Sequence, residues 1–345
     1  MGRSPEKRPT IKDVAAAANL SIATVSHALN NTRYVSDESR ERINAAIKTL
    51  GYYPNQLVGG LRKKRSYTVG LVLPCISNET LGGFSEQLQR SLLAHQENLI
   101  ICNTSYDAEL EALEISNLIK KRVDAIVSFP ASDDPALLLE ARRQGIPVIL
   151  VDRQIQQLDA DAVVLDNYTA TMDAVNYLVS IGHRKIGYID RKKSQSHSNE
   201  QRRGYCDALE QLGITDTYIV TAPDYDYAGG YQAALAMLKK QPDITACLAY
   251  YDVTALGAIR GFAEAGKQVP QDISVIGYDC MPFSRYTCPI ITSIEFPVQE
   301  VAQEVCRIVI QRIQENNIHN TDFSPIETVS IKPKLILGES TKPIS

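Results

Sequence analysis

From Tyr67 onward the chain alternates between two hydrophobic periodicities, and that alternation limits its possible folds more than any other feature. Short, nearly continuous apolar runs read as strands at 67–74, 99–103, 125–129, 148–151, 162–166, 185–189, 246–251 and 273–279. Stretches of helical length lie between most of them, at 83–95, 109–121, 135–144, 169–181, 200–212, 229–240, 254–265 and 298–316. Strands apolar on both faces need cover on both faces, which intervening helices supply over a parallel sheet. About eight such units exceed one typical open sheet, so the spacing predicts two side-by-side α/β subdomains. Ligands of such sheets bind beyond the carboxyl ends of the strands. The segments to watch are therefore 75–78, 103–106, 129–132, Asp152 with Arg153, Asp190 onward, Tyr251 with Asp252, and Asp279.

The first 65 residues are of another kind. They hold 12 Lys+Arg against 5 Asp+Glu (+7), and the remainder holds 24 against 35 (−11), which sum to the net charge of −4. A basic head on an acidic body is the electrostatic footprint of a nucleic-acid-binding module. Within the head, TIKDVAAAANLSIATVSHALN (10–30) reads as two short helices joined by a tight turn. Thr10 can cap the first, with Asp13 in the place of a capping box. Ile11, Val14, Ala15 and Ala18 form one apolar stripe. Asn19 and Leu20 break the run, Ser21 can cap the second helix, and Val25, Ala28 and Leu29 bury it against the first. Ile22, Ala23, Thr24, Ser26 and His27 are left outward, with little bulk to keep the helix out of a major groove. A bare three-helix core would share this helix pattern; the flanking segments favour DNA. Residues 1–9 form a basic arm. Ser36 can cap a third helix with Asp37 and Glu38 in its first turn, Ile43, Ile47 and Leu50 inside, and Gly51 as its stop. The connector that follows ends in four consecutive cations, 62–65, placed to neutralise phosphates. Beside them Leu61 has the character of a minor-groove wedge.

At 345 residues and 44% apolar content, two or three folded domains are expected. No apolar run approaches the roughly 18 residues of a membrane span. The charged start MGRSPEKRPT lacks a signal-peptide core, so a cytoplasmic location is expected. The seven cysteines are scattered, without a CxxC pair, and read as buried apolar residues in a reducing compartment. Asp152, Asp252 and Asp279 as acid–base groups, or Ser77 and Cys75 as nucleophiles, would suggest catalysis. No glycine-rich phosphate loop, nucleophile elbow or metal-spaced histidine cluster accompanies them, and His183 reads as structural. Neither an enzyme nor a bound cofactor or metal is expected.

Eight segments, TIKDVAAAANLSIATVSHALN, RYVSDESRERI, LGYYPN, KRVDAIV, GIPVILVDR, SIGHRKIGYI, GYDCMP and ITSIEFP, resemble the lactose-repressor/galactose-repressor (LacI/GalR) family of bacterial transcription regulators in order and spacing. The resemblance runs from Pro9 to about Ser340. It implies a helix-turn-helix head, a hinge that folds on DNA, and a dimerising effector domain of periplasmic-binding-protein-like type. By position, Ile22, Ala23 and His27 would read bases, and Ser21, Thr24 and Asn30 would support them. Thr10, Ser26, Tyr34, Asn55, Leu61 and Arg62 complete the implied DNA-contacting set, with Leu61 on the family's hinge leucine. His27 and the following TRYVS resemble the purine and ribose repressor branch. In the effector cleft the implied contacts are Ser77, Phe129, Asp152, Gln201, Tyr227, Tyr251 and Asp279, with Tyr227 stacking on the ligand ring.

The chain departs from the family pattern in two places. Gly59 and Gly60 stand where a helix-favouring pair usually precedes the hinge leucine, and each glycine costs about 1 kcal/mol in a helix interior relative to alanine. Gln201, flanked by Arg202 and Arg203, replaces the usual arginine, and Tyr251 replaces an asparagine. A sugar site needs polar groups for its hydroxyls, so either the effector is flatter or more apolar than a simple sugar or the site is partly degenerate. The expected domains are the head at 1–52, the hinge at 53–66 and the effector domain at 67–341. The first subdomain is expected at about 67–165 and 296–324, the second at about 166–293 and 326–341. The expected partners are a double-stranded, pseudo-palindromic operator, a sugar-like or nucleobase-like effector, and a second copy of the chain, with no membrane. A solute-binding protein and a ligand-indifferent architectural protein are the rival readings.

Overall fold

The computed structural model describes residues 9–30, 33–52, 65–191, 200–317 and 324–344. It divides into two compact units, 1–66 and 67–345. The first contains α1 (Ile11–Ala18), α2 (Ile22–Asn30) and α3 (Asp37–Leu50). Half of the expected capping box forms at α1: the Asp13 carboxylate accepts from the Thr10 N–H at 2.7 Å, and the Thr10 hydroxyl donates to the same oxygen. Asn19 ends α1 in the left-handed region at φ 53°, a conformation asparagine adopts at low cost. Ser21 caps α2 by accepting from the Thr24 N–H at 3.0 Å, and Ser36 caps α3. Val14, Ala15, Ala18, Val25, Ala28, Val35, Ile43 and Ala46 form the core of this unit. Arg42 of α3 donates to the carbonyls of Ala18 and Asn19, satisfying acceptors that the end of α1 leaves open.

The second unit holds two six-stranded sheets. The first comprises β1 (Thr68–Leu73), β2 (Asn98–Asn103), β3 (Ala125–Ser128), β4 (Val148–Asp152), β5 (Asp161–Leu165) and β11 (Thr328–Ile331). The second comprises β6 (Ile186–Asp190), β7 (Tyr218–Thr221), β8 (Ala246–Ala249), β9 (Ser274–Asp279), β10 (Thr292–Glu295) and β12 (Leu335–Ile336). Their orders are β11-β5-β4-β3-β1-β2 and β12-β10-β9-β8-β6-β7, so the same winding occurs twice and β9 is the counterpart of β4. Among the described strands only β12 runs antiparallel. Helices α4 (Glu79–Ala94) and α11 (Val298–Asn317) cover one face of the first sheet, and α5 (Ala108–Lys121) and α6 (Ala136–Arg143) the other. The second sheet lies between α7 (Asn167–Ser180) with α8 (Glu200–Gln211) and α9 (Tyr227–Lys240) with α10 (Asp252–Glu264).

Residues 326–341, expected wholly in the second subdomain, are shared between the two. Thr328–Ile331 pairs in parallel with β5, because the first sheet leaves that edge open and a strand needs a partner for its backbone groups. Only the chain after it reaches the second sheet, where β12 pairs with β10. At the amino end of the first sheet, Asp161 and Arg312 form a buried two-pronged pair with N–O distances of 2.8 and 2.6 Å. His183 is 2% exposed and bridges the Thr245 hydroxyl and the Lys342 carbonyl, which gives it a structural place.

Candidate functional site: the helix-turn-helix head and the inter-subdomain cleft

In the head, the outward side of α2 carries Ile22, 45% exposed, next to exposed Ala23 and half-buried Ser26 and His27. The Thr24 hydroxyl lies 2.8 Å from the Ser21 hydroxyl, so these two residues fix the start of the helix. Thr10 is held by Asp13, Asn30 closes α2, and Tyr34 is 89% exposed beyond it. A short helix with an apolar and hydrogen-bonding tip, presented by a partner helix, can enter a major groove. Asn55, Leu61, Arg62 and the glycines at 59 and 60 lie outside the described residues.

In the second unit the carboxyl ends of the two sheets face each other across a cleft. The cleft is lined from the first subdomain by Asn78, Tyr106, Phe129 and Asp152, and from the second by Arg191, Gln201, Tyr250, Tyr251, Tyr278 and Asp279. Five of the seven carried-over residues thus meet there: Phe129, Asp152, Gln201, Tyr251 and Asp279. Two do not. Ser77 is exposed in the turn after β1, and it is the next residue, Asn78, that caps α4 through Leu81 N and also hydrogen-bonds to Asp279. Tyr227 begins α9, where it is half exposed and meets Phe283 edge-on at 6.1 Å; Tyr225, before the cap residue Asp226, faces the cleft instead and stacks on Tyr106.

The two cleft aspartates occupy matching places, each the last residue of its sheet's corresponding strand. Both have a positive φ, 73° at Asp152 and 89° at Asp279. Non-glycine residues in that region cost about 1–3 kcal/mol and collect at functional sites. Burial raises the pKa of Asp152, opposed by the Asn167 amide at 3.1 Å and by Arg191 and Arg153. Asp279 is raised further, by burial and by the charges of Asp252 and Asp152. Two half-buried carboxylates facing one another repel, and a donor placed between them relieves both.

Neither cation beside Gln201 replaces the missing arginine. Arg202 pairs with Asp190 at 3.1 Å, and Arg203 pairs with Glu200 while lying 4.6 Å over the Tyr168 ring. Gln201 itself is buried and accepts from the Tyr188 hydroxyl at 3.3 Å. The guanidinium in the cleft comes from Arg191, just past β6 and 5.0 Å from the Tyr250 ring centre. Arg153 is spent on the loop after β3, donating to the Pro130 and Ser132 carbonyls and pairing with Asp133; Glu111 holds the same loop through Ala131 N and Ser132 N. Asp252 lies below the cleft and accepts from Met281 N at 2.6 Å and the Ser293 hydroxyl at 2.7 Å; burial pushes its carboxyl up to about 7. The segments just past the strands therefore marked the right places. Tyr106 and Arg191 fell inside them, and Tyr250, Tyr278 and Asn167 were missed because each looked like ordinary strand or helix-cap chemistry.

Residues 10–55 match the family described as "Bacterial regulatory proteins, lacI family", and residues 67–334 match "Periplasmic binding proteins and sugar binding domain of LacI family". The chain belongs to the LacI family. It is 32% identical to the HTH-type transcriptional repressor PurR of Edwardsiella ictaluri over 332 residues, covering 95% of both chains. It is 31% identical to the HTH-type transcriptional regulator GalS of Salmonella typhimurium over 304 residues, covering 88% of this chain and 89% of GalS. Among solved structures it resembles the Lac repressor dimer bound to operator and the anti-inducer ONPF, with TM-score 0.86, 25% identity, and 97% and 100% of the two chains covered. The regulator CelR in complex with cellobiose gives TM-score 0.71 and 26% identity, covering 96% and 100%. This LacI-family chain is a DNA-binding transcriptional repressor with an effector-binding domain. No helix among the described residues is long and apolar enough to cross a membrane.

Proposed function

We propose that this repressor binds a pseudo-palindromic operator as a homodimer, and that a sugar or related metabolite held in the cleft sets its DNA affinity. The observation that carries the reading is the convergence of Asp152, Asp279, Phe129, Tyr251 and Arg191 at the facing carboxyl ends of the two sheets. A ligand bridging the two subdomains changes their relative rotation, and in a dimer that changes the separation of the two heads. Two related heads match two half-sites. The first experiment is the melting temperature of the full chain against sugars, sugar phosphates, nucleosides and purines, since a ligand that binds only the folded state must raise it. A hit whose addition also shifts operator affinity supports the reading. A flat panel with intact operator binding favours the degenerate-site reading, which draws on Gln201 and the engagement of Arg202 and Arg203 elsewhere.

In the head, Ile22, Ala23 and His27 are assigned to base edges, with apolar contact such as to thymine methyls. Replacing His27 by alanine is expected to relax half-site choice by about 1–3 kcal/mol at one position. Neutralising 62–65 is expected to weaken all sequences alike and flatten the salt dependence. A titration of operator variants at several salt concentrations separates the two effects.

A further inference from the structure

The two walls of the cleft are joined to each other by protein side chains. Tyr106 follows β2 in the first subdomain and lines the cleft; Tyr225 follows β7 in the second. Their rings are in direct contact, 4.8 Å between centres and 17° between planes. Tyr106 reaches across on an unusual backbone, with Ser105 and Tyr106 both left-handed at φ 51° and 59°. The Asn103 amide donates to the Ser105 hydroxyl at 3.0 Å and the Tyr106 N–H to the Pro74 carbonyl at 3.2 Å, which hold that turn. Tyr251 of the second subdomain partners the Tyr106 hydroxyl. Two more links cross the cleft. Asn78 of the first subdomain partners Asp279 of the second, and the Asn167 amide of the second donates to Asp152 of the first. The space left between the walls is about 130 Å³, against roughly 300 Å³ or more for a site that encloses a small-molecule ligand.

Every one of these links is between protein groups, so none needs a ligand to form. The last two also occupy the carboxylates that a ligand would take. We propose that the cleft is held shut without effector by an autoinhibitory latch, the contact of Tyr106 with Tyr225 and Tyr251, and that an effector acts by breaking it. An effector reaches the site only in the fraction of molecules whose latch is open, so its apparent affinity is lowered by that fraction. Its entry then parts the subdomains rather than drawing them together. The effect of the latch on DNA rests on the effector reading above; the latch itself does not.

The test uses the full chain with no small molecule added. Cys75, just past β1 in the first subdomain, and Cys280, just past β9 in the second, are half-buried thiols at the two facing sets of strand ends. Their rates of alkylation by N-ethylmaleimide, read peptide by peptide, report opening of the cleft. Tyr225→Leu is expected to speed Cys75, and Tyr106→Leu to speed Cys280, by up to about tenfold, the scale of one lost ring contact. Each pairing sets the variant on the wall opposite its thiol, so loss of local cover does not account for a faster rate. Exposed Cys288 should react fast throughout, and buried Cys102, Cys247 and Cys306 should stay slow, which shows that the variants remain folded. Should Tyr106→Leu expose those buried thiols, Tyr225→Leu, which leaves the left-handed turn untouched, carries the test through Cys75. Unchanged rates at both cleft thiols overturn the latch and leave the effector reading standing. Faster rates with unchanged operator affinity keep the latch and overturn its link to DNA. Faster rates with a changed operator affinity support both.

Discussion

Asp161 opens β5 at the amino end of the first sheet, and Asp152 closes β4 at its carboxyl end. Asp161 accepts two N–H groups of Arg312 and the Glu327 N–H at 2.9 Å, and Arg312 in turn donates to Glu315 and to the carbonyls of Ser324 and Pro325. That charge has fixed partners on three sides. Asp152 has one side-chain amide donor at 3.1 Å and faces a second carboxylate, Asp279, across the cleft. One end of the sheet closes its charge into an ion-pair network; at the other, Asp152 has an amide donor and only through-space help from Arg191 and Arg153. Perturbed, incompletely partnered groups in a cleft mark function, whereas closed ion-pair networks mark structure.

The largest expected effect breaks the closed end. Arg312→Ala leaves Asp161 buried without its cation and should destabilise the chain by about 3–5 kcal/mol. A denaturant midpoint that stays put would show that Asp161 finds other partners and that the contrast is false. The opposite sign is expected at the cleft. Asp279 has a folded pKa above its unfolded value of about 3.9, so the folded state binds the extra proton between those two values. Its contribution to stability is therefore greatest at low pH and declines as pH rises through that window. Asp279→Asn should raise the ligand-free melting temperature at neutral pH by about 2–4 °C and remove the effector response. A variant that melts lower would mean that the bond from Asn78 outweighs burial and the repulsion from Asp252 and Asp152.

A subtler consequence concerns the ligand. Donors to Asp152 and Asp279 favour their ionised forms, so effector affinity should fall as pH is lowered through the raised pKa values. Binding should also release protons, visible as a dependence of calorimetric heat on the buffer's ionisation enthalpy. No buffer dependence would place the ligand away from the carboxylates. The smallest effect lies in the head, where Ser21→Ala removes the α2 cap and should cost about 1 kcal/mol, read from the melting of that unit.

The sequence made the long apolar strands legible because burial on both faces leaves little room for polar residues, as in β1 and β4. It hid β12, which is two residues long, and β7, β10 and β11, which lack the all-apolar run of the equally short β8; TSIE and TVSI alternate polar and apolar residues over only four positions, too few to declare a strand. The cleft followed the same division. The rule that ligands gather past strand ends located Asn78, Tyr106 and Arg191, because it depends only on topology. The residue-by-residue carry-over chose Ser77 and Tyr227, one and two positions away from Asn78 and Tyr225. Loop shape decides that register, and at Tyr106 the shape rests on two left-handed residues that spacing does not announce.

Among the described residues the chain passes between the two sheets three times: from β5 into α7, from β10 into α11, and from β11 to β12. The third passage comes after everything else. During synthesis the first sheet must therefore wait, its β5 edge and the α11 face uncovered, while the second sheet from β6 to β10 is made and emerges. A nascent chain with an open parallel edge is open to wrong pairings. A gene cut between the two subdomains could not produce either one whole.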